Sequence, residues 1–81
     1  MSGYYSKVYK EESYTIKSYW CVITLGKRTR DDKYEVHIMA ECDDKSLNDK
    51  LKIETKMIYG KLKNARTFYN EAKTKYIDDF K

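Results

Sequence analysis

The sequence predicts an α+β domain: a small antiparallel β-meander of two to four strands, with a hairpin around residues 14–42, packed against a long C-terminal α-helix. Two patterns predict it. In the first half, Cys21, Ile23 and Leu25 share one parity and Tyr34, Val36, Ile38, Ala40 and Cys42 another, the period-two mark of strands. In the second half, Leu47, Leu51, Ile58, Leu62, Ala65, Tyr69, Ala72, Tyr76 and Phe80 recur at intervals of three, four or seven, which is the spacing of one helix face.

Taken in order, an early strand around Tyr4–Tyr9 can pair with the edge of the hairpin. The polar stretch Lys27–Lys33 suits the hairpin connection. A two-residue turn at Asp31-Asp32 sets Leu25 opposite Ile38, Ile23 opposite Ala40 and Cys21 opposite Cys42. A longer loop keeps the same faces and moves Cys21 opposite Ala40. Tyr14, Ile16, Trp20, Val22 and Met39 then fall on the second sheet face, with Thr24 and His37. Ser46-Leu47-Asn48-Asp49 resembles a capping box and opens a helix from about 46 to 80, with Gly60 as a kink. A rival reading exists, because Leu51, Ile53, Thr55, Met57 and Tyr59 alternate with Lys52, Glu54 and Lys56. That pattern suits a fourth strand and leaves a helix from about 61 to 80. The continuous stripe favours the long helix.

The chain is 81 residues, one domain by size, and folding at this length buries only about 60–65% of the unfolded surface. Nine tyrosines, two phenylalanines and Trp20 make up for the thin core, since a tyrosine buries its ring and keeps its hydroxyl wet. The start of the sequence has no apolar signal-peptide core, and the uncharged run Ser18–Gly26 is too short to span a bilayer. The expectation is a soluble intracellular protein with no membrane partner. The lack of proline and abundance of Lys, Tyr and Ile match an AT-rich genome of the viral or phage kind, which would place the protein in a host cytoplasm.

Chemistry-bearing motifs are sparse. His37 is the only histidine and has no nucleophile placed beside it, so catalysis and catalytic residues are not expected. No glycine-rich phosphate loop exists, and two cysteines with one histidine do not build a zinc site, so neither cofactor nor metal is expected. Cys21 and Cys42 are the candidate disulfide if the shorter turn holds. Two reduced thiols acting as small core residues is the simpler reading.

Charge is the stronger lead. The net charge is +4, yet residues 1–49 hold eight Lys/Arg against nine Asp/Glu, while residues 50–75 hold eight against two. Lys63, Arg66, Asn70 and Lys73 lie along one helix side, roughly 90° from the apolar stripe, and can track phosphates. Lys27, Arg28, Arg30 and Lys33 in the turn supply a second contact. The expected function is therefore a non-enzymatic accessory protein that binds DNA or RNA. The alternative is a modulator of host protein machinery acting through Tyr14, Ile16, Trp20, Val22 and Met39. The heptad-like repeats Ile58, Ala65, Ala72 and Leu62, Tyr69, Tyr76 add a homodimer as a further expectation.

Overall fold

The computed structural model describes residues 4–44 and 49–78. Four strands, β1 (Tyr5–Ile16), β2 (Tyr19–Arg28), β3 (Tyr34–Asp44) and β4 (Asp49–Tyr59), form an antiparallel sheet in sequence order, and α1 (Leu62–Tyr76) follows. The α+β architecture expected from the sequence is present. The long helix from 46 is not. Its first part is β4, as the alternation from Leu51 to Tyr59 allowed, and Gly60 marks the joint between strand and helix. The capping box at 46–49 lies on residues that, apart from Asp49, are outside the described set.

The β2–β3 hairpin adopts the longer loop. Cys21 lies opposite Ala40, Ile23 opposite Ile38 and Leu25 opposite Val36. The amide of Arg28 donates to the Lys33 carbonyl at 2.7 Å, closing the loop. The Asp31 carboxylate accepts from the Lys33 amide at 3.2 Å, and Asp32 takes the left-handed conformation, φ 56°. A tight two-residue turn wants positive φ at both central positions, which Asp-Asp does not favour; one aspartate as a side-chain cap and one in the left-handed region suits the wider turn. Cys42 therefore faces Tyr19, and both cysteines are free thiols.

At the other end the chain reverses at Lys17-Ser18, with Ile16 opposite Tyr19 and Lys17 at φ 52°. This reversal corrects the face assignment of two residues. Tyr14 and Ile16 belong to β1, opposite Cys21 and Tyr19, and so share the face of the odd-numbered β2 residues, away from Trp20, Val22 and Met39. Unbroken alternation through residues 14–25 would have kept them together; the turn shifts the parity.

The helix covers one sheet face. Tyr19, Cys21, Ile23 and Leu25 from β2 and Val36, Ile38 and Ala40 from β3 are buried under Ala65, Tyr69 and Ala72 of α1. Two alanines flanking one tyrosine let the helix approach closely while the ring fills the space between layers. The stripe read as a coiled-coil seam is thus spent on the sheet, and Ile58 lies on the opposite face, 46% exposed. Two tyrosine hydroxyls tie the layers: Tyr19 donates to the Tyr76 carbonyl at 2.8 Å, and Tyr69 donates to Glu12 of β1 at 2.9 Å.

Burial pushes the Tyr5, Tyr19 and Tyr69 phenols well above their usual 10, with Glu35 reinforcing the effect at Tyr5 and Glu12 at Tyr69. Burial also raises the Cys21 thiol above its usual 9.0. Each of these groups ionises more easily in the unfolded chain than in the folded one. Their stabilising contribution is complete below about pH 9 and is lost as pH rises through 9 to 10 and beyond. Urea unfolding followed at stepped pH should give a midpoint that falls steeply above pH 10, together with late-titrating tyrosine absorbance; a midpoint level to the end of the tyrosine titration would contradict this account.

Candidate nucleic-acid interface

The sheet register decides which cations share a surface. Tyr59 ends β4 opposite Tyr34, which begins β3 opposite Lys27 near the end of β2; Lys7 of β1 lies opposite Lys27. The helix starts three residues after Tyr59, and Phe68 stacks on Tyr59 with ring centres 5.9 Å apart. One pole of the molecule therefore gathers Lys7, Lys27, Arg30, Lys33, Lys61 and Lys63 from four chain segments. Asp31 and Asp32 are the carboxylates in the same turn. Among the polar groups at this pole, the helix start adds its own partial positive charge. Its first turn holds no acidic residue, and Lys61 at the N-cap makes no side-chain cap.

The predicted helix row divides. Lys63, Arg66 and Asn70 are exposed. Lys73 leans to β1, where its Nζ sits 3.6 Å from Glu12, the carboxylate that also receives the Tyr69 hydroxyl. Arg66, two turns earlier on the same side, extends this seam toward the basic pole. Lys10 joins it from β1 with its Nζ 5.8 Å from the centre of the Tyr69 ring. Lys7 and Lys10 were missed in the sequence because β1 carries register shifts between Tyr5 and Lys7 and between Val8 and Lys10, and these decide which lysines face the helix; Lys61 was missed because the long-helix reading ran through it. The usable signal was the alternation of β4, which ends the strand at the pole and starts the helix there.

Arg28 is not a surface contact. It is 7% exposed, with its guanidinium 3.4 Å from Asp31 and 3.9 Å from Glu35. Glu35 is fully buried although it lies on the sheet face that the helix leaves open. Its two oxygens accept the hydroxyls of Tyr4 at 2.5 Å and Tyr5 at 2.6 Å, and the Tyr5 ring lies over Gly26. A Cβ at Gly26 would come within 2.7 Å of that ring, so a residue without one is required there. The hydrogen bond to Glu35 raises the Tyr4 phenol above its usual value. Tyr4 and Tyr5 thus cover the Gly26–Glu35 end of the open face.

The opposite end of that face keeps Trp20, Val22 and Met39, all half-buried, with Val22 opposite Met39. His37 lies between, its Nε2 3.6 Å from Glu54; Thr24, opposite it, donates its hydroxyl to Glu11 at 3.1 Å and not to the imidazole. Among the described residues no group of His, Cys, Asp and Glu gathers that could hold a metal ion, and no helix is long and apolar enough to cross a membrane. Comparison with protein-family models, with curated proteins and with solved structures finds no match to this chain.

Proposed function

We propose that the protein is a non-enzymatic nucleic-acid-binding module that grips phosphates with the basic pole and the adjoining side of α1. The observation that supports this most is the convergence of Lys7, Lys27, Arg30, Lys33, Lys61 and Lys63 at the start of the helix, continued by exposed Arg66 and Asn70. Cations from separate segments repel one another when gathered, and a polyanion relieves that repulsion while releasing counterions. Thr67 and Thr74 donate their hydroxyls to the Lys63 and Asn70 carbonyls at 3.1 Å each, so the contacts with phosphate fall to the cations and the Asn70 amide.

Fluorescence anisotropy on a labelled DNA duplex and on a labelled RNA, repeated over a salt series, tests the reading. The double variant Lys63→Glu, Arg66→Glu should weaken binding by about tenfold or more and lower the duplex salt slope by nearly 2, since each lost phosphate contact removes about 0.9. Lys73→Glu should cost stability more than affinity, because it sets two carboxylates together at Glu12. Unchanged affinity and slope in the double variant would refute the assignment.

The second reading, a protein-binding surface, draws on a different observation. The helix covers one face alone, and Trp20, Val22 and Met39 stay half-exposed on the other. Binding that persists at high salt and disappears in Trp20→Ala would favour it.

A further inference from the structure

β4 is the outer strand of the sheet, and among the described residues no strand lies beyond it. The two edges are built differently. β1 is interrupted by two register shifts, a device that discourages edge pairing. β4 pairs with β3 at eleven consecutive positions without a shift, and the chain has no proline to block an edge. A groove of about 250 Å³ opens beside it, between strand and helix, lined by Ile38, Thr55, Phe68, Glu71, Ala72 and Lys75 with Tyr76. Met57 and Ile58 of the strand are 40% and 46% exposed.

We infer that β4 is a self-association edge, and that a second copy of this chain pairs with it antiparallel about a two-fold axis through Thr55. The charge order along the strand argues for this occupant and this register. Helix-covered faces stay on one side of the joined sheet only when residues of like parity pair. With Thr55 opposite itself, Glu54 meets Lys56 of the second copy and Lys56 meets its Glu54, so both symmetry-related pairs are attractive. On the helix side, Ile53 meets Met57, which extends the apolar core across the joint. The neighbouring registers are less favourable. Centred on Glu54, the strand sets Lys52 against Lys56 and Glu54 against itself. Centred on Ile53, it again sets Glu54 against Lys52, but Ile53 then faces itself and Met57 falls opposite the first residue of β4, so the apolar pair across the joint is lost. A lysine-rich edge ordinarily repels its copy; Glu54 between Lys52 and Lys56 replaces that repulsion with attraction, and the Thr55-centred register alone combines it with the Ile53–Met57 contact.

Glu54 is free to turn outward, with its side chain 57% exposed and only the 3.6 Å approach of His37 to hold it. Around the same axis, Glu71 and Lys75 border the groove that holds Thr55. They are four residues apart on a helix that the two-fold sets antiparallel to its copy, an arrangement that again opposes unlike charges.

Sedimentation or light scattering of the full chain across a concentration series, up to about 100 μM, provides the test. A dimer is expected, with Glu54→Lys and Lys56→Glu each weakening it by at least about tenfold, because either change makes both symmetric pairs repulsive. The exchange Glu54→Lys with Lys56→Glu in one chain restores dimerisation, and circular dichroism verifies that all three variants fold. Thr55→Cys, with Cys42→Ser to remove the second accessible thiol, should form a covalent dimer on mild oxidation. A wild-type monomer throughout the range, a dimer indifferent to the single reversals, or an exchange variant that stays monomeric would each overturn the proposal.

Discussion

Replacing Tyr69 by alanine is expected to destabilise the fold by about 3–5 kcal/mol, the range for removing a fully buried aromatic ring. Tyr69 is the largest fully buried side chain among the described residues, set between the buried Ala65 and Ala72 on the helix face. Neither alanine can lengthen to fill the space, so the helix must either leave a cavity or settle onto a sheet whose side chains are already packed. An 81-residue domain has roughly 4–12 kcal/mol in hand, so the variant loses about a quarter or more of its stability. A fall in melting temperature of about 12 °C or more follows. Tyr69→Phe separates ring from hydroxyl. It keeps the packing and loses only the 2.9 Å hydrogen bond to Glu12, at about 1–2 kcal/mol. Thermal unfolding of the two variants measures both; an alanine variant as stable as the phenylalanine one would mean that the helix does not rest on this ring.

Glu35→Ala should cost about 3 kcal/mol. The carboxylate is fully buried and serves three partners at once: two tyrosine hydroxyls and the Arg28 guanidinium. Removing it leaves a buried cation with a single counter-charge, Asp31, and takes the acceptor from the Tyr5 hydroxyl. Asp31 keeps the cost at the low end of the range for a broken buried pair. Glu35→Gln retains the shape and one acceptor and should be milder. The loss should also be local, with faster amide exchange at residues 4–8, because the Tyr4 and Tyr5 hydroxyls both anchor on this carboxylate. Denaturant midpoints and hydrogen exchange read the two effects. A midpoint within about 0.5 kcal/mol of the parent would show that the cluster contributes nothing net.

These two positions illustrate what a sequence reveals and what it conceals. Tyr69 was legible: its spacing from Ala65 and Ala72 is a helix face whatever the rest of the chain does. Glu35 was not. On a strand reading of Tyr34–Cys42 it falls on the face opposite the core, where a glutamate normally meets water, and its partners Tyr4 and Tyr5 lie about thirty residues away. β4 was ambiguous for a definite reason. Leu51, Ile58, Leu62 and Ala65 fit a helical interval by coincidence, while Leu51, Ile53, Thr55, Met57 and Tyr59 fit a strand. Five alternating positions with β-branched members should outweigh an interval that must run through Gly60.

The candidate interface divides along the same line. Lys63, Arg66 and Asn70 were readable from helical spacing alone, and they are exposed. Lys73 has the same spacing and is drawn to Glu12, which requires knowing how β1 registers on β2. Arg28 reads as one more basic turn residue until the wider loop turns it inward toward Glu35.

The strand order also governs how the molecule can assemble itself in time. Each strand pairs with its immediate predecessor, so the sheet can zip up one short reversal after another without closing a long stretch of chain. The costly closures come with the helix: its ties from Tyr69 to Glu12 and from Tyr76 to Tyr19 each span 57 residues. Docking of α1 is therefore the expected slow step: in stopped-flow refolding, substitutions beneath it should retard folding more than equal losses at the Lys17-Ser18 reversal.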